Sequence, residues 1–318
     1  MRALVTGATG FIGGRLAEAL AADGADVRCL VRDRSRAEHL ERRGFELHEG
    51  DALRAETLRG AGRGADVAYY LIHGMGRGST GDFAERDERA AANFAAMARD
   101  EGVEQIVYLG GLGGTGERDS SSRHLRSRHA TARALAAAGP PVTYFRAGMV
   151  VGAGSESFRT LYHLADRLPI MVAPAWLRTR SQPIGIDDTV AYLRAAPHVA
   201  ACRGREVQIG GADVLTYGPM LDVVARELGR RAPAKVPVPL LSPRLSSLWI
   251  GLVTPVDAGV ARPLIEGLRA ETFVTNPSGA RLFDVEPEPF AETVRRALHE
   301  EVRPERPTPS RALPGPHR

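Results

Sequence analysis

Short apolar, β-branched runs alternate with Ala-rich amphipathic stretches along the first half of the chain. The runs fall at residues 2–6, 26–31, 45–49, 66–72, 105–109 and 142–146. Between them, residues 11–22, 35–43, 55–60, 82–100 and 123–138 carry apolar positions at helical spacing. Strand and helix in alternation predict a parallel sheet with helices on both faces. Right-handed crossovers then make that sheet doubly wound.

The regularity weakens after about residue 150. A Gly/Ser loop spans 152–157, and a helix over 158–168 is stopped by Pro169. Further helices are expected at 187–195, with Asp187 or Asp188 as N-cap, and at 217–228, 264–268 and 289–300. One more strand is expected at 206–209. Residues 303–318 hold Pro304, Pro307, Pro309, Pro314 and Pro316 among several arginines, a composition that predicts a disordered tail. The expected organisation is an α/β sheet domain over 1–150, followed by a smaller substrate-binding part over 151–302. That part is partly interwoven with the sheet domain and closes over a ligand.

The first connection carries the chemistry. Gly7, Thr9, Gly10, Phe11, Ile12 and Gly13 lie between a strand and the helix it feeds. In that context Gly7 permits a tight turn, Gly10 lets the backbone approach a pyrophosphate, and Gly13 lets the helix pack close. The pyrophosphate then rests on free N–H groups at the positive end of the helix. This predicts a dinucleotide site in a doubly wound parallel sheet of Rossmann type. The second strand ends in Arg32, 19 residues after Gly13, with Arg34 and Arg36 close by. An acid at this strand end takes the ribose hydroxyls of NAD, whereas a guanidinium pairs with a 2′-phosphate. Asp33 lies one residue further on. The reading favours NADP(H) over NAD(H).

The segments TGATGFIG, LVRD, GDAL and NFAAMA together resemble the short-chain dehydrogenase/reductase superfamily over roughly residues 1–230. The likeness is to its atypical branch, which includes NmrA-like and nucleoside-diphosphate-sugar-epimerase-like proteins. YYLIHGMG, IVYLGGLG and RAGMVVGAGSESF point the same way. The resemblance implies that Asp51 and Ala52 lie against the adenine. It implies that Leu71, Ile72 and His73 border the adenosine ribose and pyrophosphate. It places Ala147, Gly148 and Met149 on the nicotinamide side.

The chain departs from the superfamily in its catalytic set. The usual Ser after the fifth strand is replaced within Leu109-Gly110-Gly111, and no Tyr is followed by Lys four residues later. The matching helix puts His124 at the Tyr position and Arg128 at the Lys position. Either His124 is a general acid, with Arg128 holding the cofactor ribose, or the helix has lost its acid.

Composition trims the alternatives. Lys235 is the only lysine, so no lysine can act in the first half. A net charge of +4, without a basic stripe carrying aromatics, gives no sign of nucleic-acid binding. Cys29 and Cys202 make no disulfide framework, and Cys29 reads as a core residue. No stretch is long enough to span a bilayer, and a cytoplasmic protein is expected. His73, His124, His129, His163 and His198 lack zinc spacing, so no metal is expected. Two readings result. One is an NADPH-dependent reductase or isomerase of a small, largely apolar carbonyl-like substrate. The other is a non-catalytic NADP(H)-binding sensor or assembly factor. A homodimer is compatible with either.

Overall fold

The computed structural model describes residues 1–72, 83–113, 123–168, 170–173, 175–237 and 270–302. Six strands come from the first half: β1 (Arg2–Thr6), β2 (Asp26–Val31), β3 (Glu46–Glu49), β4 (Val67–Tyr70), β5 (Gln105–Gly111) and β6 (Val142–Ala147). A seventh, β7 (Glu206–Ile209), joins them from the second half. All pairs are parallel, in the order β7-β6-β5-β4-β1-β2-β3. The sheet therefore draws its outer strand beside β6 from beyond residue 150.

Side chains alternate across the pleat, so each strand supplies two cores. One face carries Val5, Cys29, Tyr69, Val107, Phe145 and Val207. It is covered by α1 (Phe11–Ala22), through Leu16 and Leu20, and by α6 (Ile186–Ala195), through Tyr192 and Leu193. The opposite face carries Leu4, Leu30, Tyr70, Ile106, Tyr108 and Tyr144. It is covered by α3 (Phe83–Asp100), through Phe94 and Met97, and by α4 (Arg123–Ala138), through Leu135. Burying a side chain such as Leu16 contributes about 1.5–3 kcal/mol.

A separate cluster holds the second half together. It joins α5 (Glu156–Arg167), α7 (Tyr217–Glu227) and α8 (Phe290–Val302) through Phe158, Leu161, Trp176, Tyr217, Leu221 and Val294. Ser155 caps α5, its Oγ accepting from the Phe158 N–H. The cap of α6 is a correction to the sequence reading, because Gly185 holds that position. Asp187 instead pairs with Arg296, and the Asp188 carboxylate accepts from the Glu288 N–H at 3.1 Å. Both acids tie α6 to the segment around α8. The segments 264–268 and 303–318, read above as helix and disordered tail, lie outside the described residues. Among the described residues, no helix is long and apolar enough to cross a membrane.

Candidate functional site

The strand order reverses at β1, between β4 and β2, which is where open α/β sheets bind ligands. Thr6 fixes this point. Its hydroxyl donates to Tyr69 O at 3.0 Å and accepts from the Leu71 N–H at 2.8 Å, tying the ends of β1 and β4 together. The chain then turns through Gly7 at φ +68°, where a Cβ would stand 2.7 Å from Leu71 O. A Cβ on Gly13 would stand 2.3 Å from Gly7 O, so only glycine lets α1 start this close to the loop. Gly10 is the N-cap of α1, with no side-chain cap and no acid in the first turn. Backbone N–H groups and the positive end of α1 thus face the loop, an arrangement suited to a pyrophosphate.

The loop is braced from the second half. The Phe11 ring packs on Gly152, whose Cβ would stand 3.0 Å from Phe11 Cζ. The Arg15 guanidinium lies 4.9 Å from the Phe11 ring centroid and donates to Ala153 O and to Glu300 Oε2 in α8.

At the end of β2, Arg32 is exposed and has no hydrogen bond or ion pair among the described residues. Its neighbours are committed: Arg34 pairs with Glu41, and Arg36 lies 3.8 Å from Asp33. Asp33 closes a turn by accepting from the Ser35 hydroxyl at 2.6 Å and the Ser35 N–H at 3.0 Å. The Ser35 hydroxyl bond leads in holding its carboxyl below the ordinary carboxylate range. At the end of β3, Asp51 Oδ1 accepts from the Leu53 N–H, and Asn93 of α3 donates to Ala52 O at 2.8 Å. Ile72 follows Leu71 beyond β4, while His73 lies outside the described residues.

At the other side of the reversal, Ala147 ends β6 and Gly148 and Met149 follow it. A Cβ on Gly148 would meet Gln182 O at 2.6 Å, and the Ile184 N–H donates to Met149 O at 2.9 Å. The second half therefore crosses directly over this segment. Thus Arg32, Asp51, Ala52, Leu71, Ile72 and residues 147–149 of the expected cofactor set lie at or just past strand ends, with Gly7 to Gly13 leading into α1 and Arg128 on α4.

The expected catalytic pair is less complete. His124 stands in the first turn of α4, but its side chain lies outside the described residues. Arg128 reaches the end of β5, where its Nη1 donates to Leu109 O at 3.2 Å. The structure gives a steric reason for the missing serine. A Cβ on Gly110 would stand 2.7 Å from the Tyr144 ring, and one on Gly111 would stand 2.5 Å from Leu125 Cδ2. Beside these glycines lies a polar group that sequence reasoning missed: buried Tyr144 and Arg146, half-buried His129 and exposed Glu206. Its one signal was an arginine inside the otherwise apolar run Val-Thr-Tyr-Phe-Arg-Ala. Among the described residues, no group of three or more His, Cys, Asp or Glu could hold a metal ion.

Residues 7–163 match a protein family described as NAD(P)H-binding, spanning the glycines of the phosphate loop and strands β2 to β6. That match assigns residues 7–163 to this NAD(P)H-binding family. It is 26% identical over 247 residues to a ceramide reductase from Caulobacter vibrioides, covering 69% of this chain and 76% of that one. Among solved structures it resembles a triphenylmethane reductase from Citrobacter sp. at 19% identity and a TM-score of 0.73, covering 94% of this chain and 100% of that one. It also resembles an NADPH-dependent quinone oxidoreductase from Escherichia coli, solved with NADPH, at 19% identity and a TM-score of 0.71, covering 92% and 98%. At such identities the likeness to solved structures is one of fold. The chain thus has an NAD(P)H-binding, reductase-like fold.

Proposed function

We propose that the protein is an NADPH-dependent reductase of a small, largely apolar hydride acceptor. The observation that carries the cofactor choice is the end of β2. Arg32 is exposed and unpaired among the described residues, while Asp33, the acid that would favour NAD, is spent on the Ser35 turn. A guanidinium there gives a 2′-phosphate a charge-assisted, bidentate partner. In this reading the glycine loop takes the pyrophosphate, and Arg128 steadies the ribose on the nicotinamide side. Residues 147–149 border the nicotinamide, which supplies a hydride when bound.

The substrate class follows from what the β5 edge lacks. Gly110 and Gly111 offer no side-chain hydroxyl, a side chain at either would have to displace Tyr144 or Leu125, and no Tyr/Lys pair stands on α4. An acceptor whose reduced form is a stabilised anion, such as a quinone, takes its proton from water and needs no positioned acid. The names of the relatives, reductases of ceramide, quinones and triphenylmethane dyes, support an apolar acceptor.

The test is a titration of the purified protein with NADPH and, separately, NADH, followed by NADPH oxidation in the presence of a soluble naphthoquinone. Tighter NADPH binding with quinone-dependent oxidation is expected. Equal affinity for both cofactors would overturn the Arg32 role. Tight NADPH binding without turnover of any quinone or carbonyl would favour the second reading, a non-catalytic NADP(H)-binding sensor or assembly factor. The crowded Gly110–Gly111 edge supports that alternative too.

A further inference from the structure

Arg146 lies on β6 with only 1% of its side chain exposed, although every other side chain of that strand is apolar or uncharged. A cation so deep in the sheet is costly unless each of its donors is used. Each one is used. Nη1 donates to Glu206 Oε1 of β7 at 2.6 Å, Nε donates to Gly111 O at 3.3 Å, and Nη2 donates to Gly113 O. Nη2 also faces His129 Nε2 of α4 at 3.4 Å. A guanidinium can only donate, so Nε2 accepts and the ring proton stands on Nδ1, facing Tyr144 Oη at 3.3 Å.

The two carbonyls that Arg146 holds belong to the segment leaving β5, next to Leu109, where Arg128 docks. The same segment is tied to β6 by the Leu112 N–H, which donates to Ala147 O at 2.7 Å. Its glycines pack on Leu125 and Tyr144, side chains that also lie beside this network. Glu206, partly exposed at the sheet edge, neutralises the buried charge.

We propose that Arg146, with Glu206 and His129, is a positioning residue: it fixes residues 109–113 as a rigid edge against the reactive end of the dinucleotide. This rests on the cofactor reading above. Without Arg146, the carbonyls of Gly111 and Gly113 lose their common anchor, and the edge moves relative to Ala147. A displacement of about 1 Å at a reacting centre can cost roughly 100-fold in rate. The adenosine half binds at β1–β3, on the far side of the reversal, and does not touch this network.

The experiment compares two ligands on wild type, Arg146→Lys and Glu206→Gln. One is NADPH; the other is 2′-phospho-ADP-ribose, which lacks the nicotinamide. The proposal expects Arg146→Lys to weaken NADPH roughly 10-fold and to lose the fluorescence shift of bound nicotinamide, while affinity for the fragment changes less than about 2-fold. It also expects the Leu112 amide to exchange with deuterium at least about 10-fold faster. Glu206→Gln, a milder change should Arg146→Lys not fold, moves both readouts the same way by a smaller factor. Equal losses for both ligands, or unchanged nicotinamide fluorescence and exchange in both variants, would overturn the proposal. Failure of wild type to bind either ligand would instead overturn the cofactor reading.

Discussion

The two sides of the strand-order reversal are both lined with glycines that admit no side chain, yet for different reasons. At the phosphate loop the obstacle is backbone: a Cβ on Gly13 would meet Gly7 O and Gly7 C. At the end of β5 the obstacles are side chains, Tyr144 against Gly110 and Leu125 against Gly111. The Gly13 obstacle at the first site is made by the chain with itself over seven residues. The second is assembled from β5, α4, β6 and β7. A site of backbone carries its pattern in contiguous sequence, whereas a site of packed side chains spreads it over residues 110 to 206.

Gly13→Val separates the two sides most sharply. The branched side chain has no path away from Gly7, so dinucleotide affinity should fall by more than about 100-fold, or the fold should fail. Isothermal titration with NADPH, alongside circular dichroism, distinguishes these outcomes. An intact affinity would mean that α1 does not dock on the loop as described.

The next effect is selective. Arg32→Ala should cost NADPH about 1.5–3 kcal/mol, roughly 10- to 150-fold, and leave NADH within a factor of about 2. Parallel titrations read the ratio directly, and a common loss for both cofactors would remove the 2′-phosphate from the argument.

On the side-chain-made edge, Gly110→Ser should lower stability by about 1–3 kcal/mol through overpacking. The obstacle is a side chain, so pairing it with Tyr144→Leu should recover part of the loss, which no partner change can do for Gly13. Thermal melts of the single and double variants measure that recovery. Additive losses would show that Tyr144 is not what excludes the serine.

The smallest effect concerns two acids with opposite environments. Asp33 is exposed, and hydrogen bonds hold its carboxyl low; Asp188 is raised above the ordinary carboxylate range, mainly by desolvation. A raised value means the folded state holds the proton more tightly than the unfolded chain. The contribution of Asp188 to stability is therefore present at acid pH and lost as pH rises through its folded value. Asp188→Asn keeps an oxygen for the Glu288 N–H and should flatten this slope, raising Tm at neutral pH relative to wild type. An unchanged slope would exclude Asp188 as its source.

The same contrast explains what the sequence made legible. The parallel sheet, the phosphate loop and the placing of α4 at Arg123–Ala138 follow from local periodicity and glycine spacing. The cap of α6 did not, because Asp187 and Asp188 are good capping residues locally. Contacts with Arg296 and with Glu288 decide their use, and both partners lie about 100 residues away. The Arg146 network was equally hidden. Its ion-pair partner Glu206 lies 60 residues on, and nothing in either neighbourhood names the other.

One contact near the phosphate loop also constrains how the molecule is made. Arg15 meets Glu300 across 285 positions of sequence. At a synthesis rate of about 5–20 residues per second, that acid emerges on the order of 15–60 s after the arginine. During this interval β1 to β6 and their helices are already made, but the Glu300 contact from α8 onto Arg15 does not yet exist. The last clasp on the helix that opens the loop is therefore set by the final part of the chain to be made.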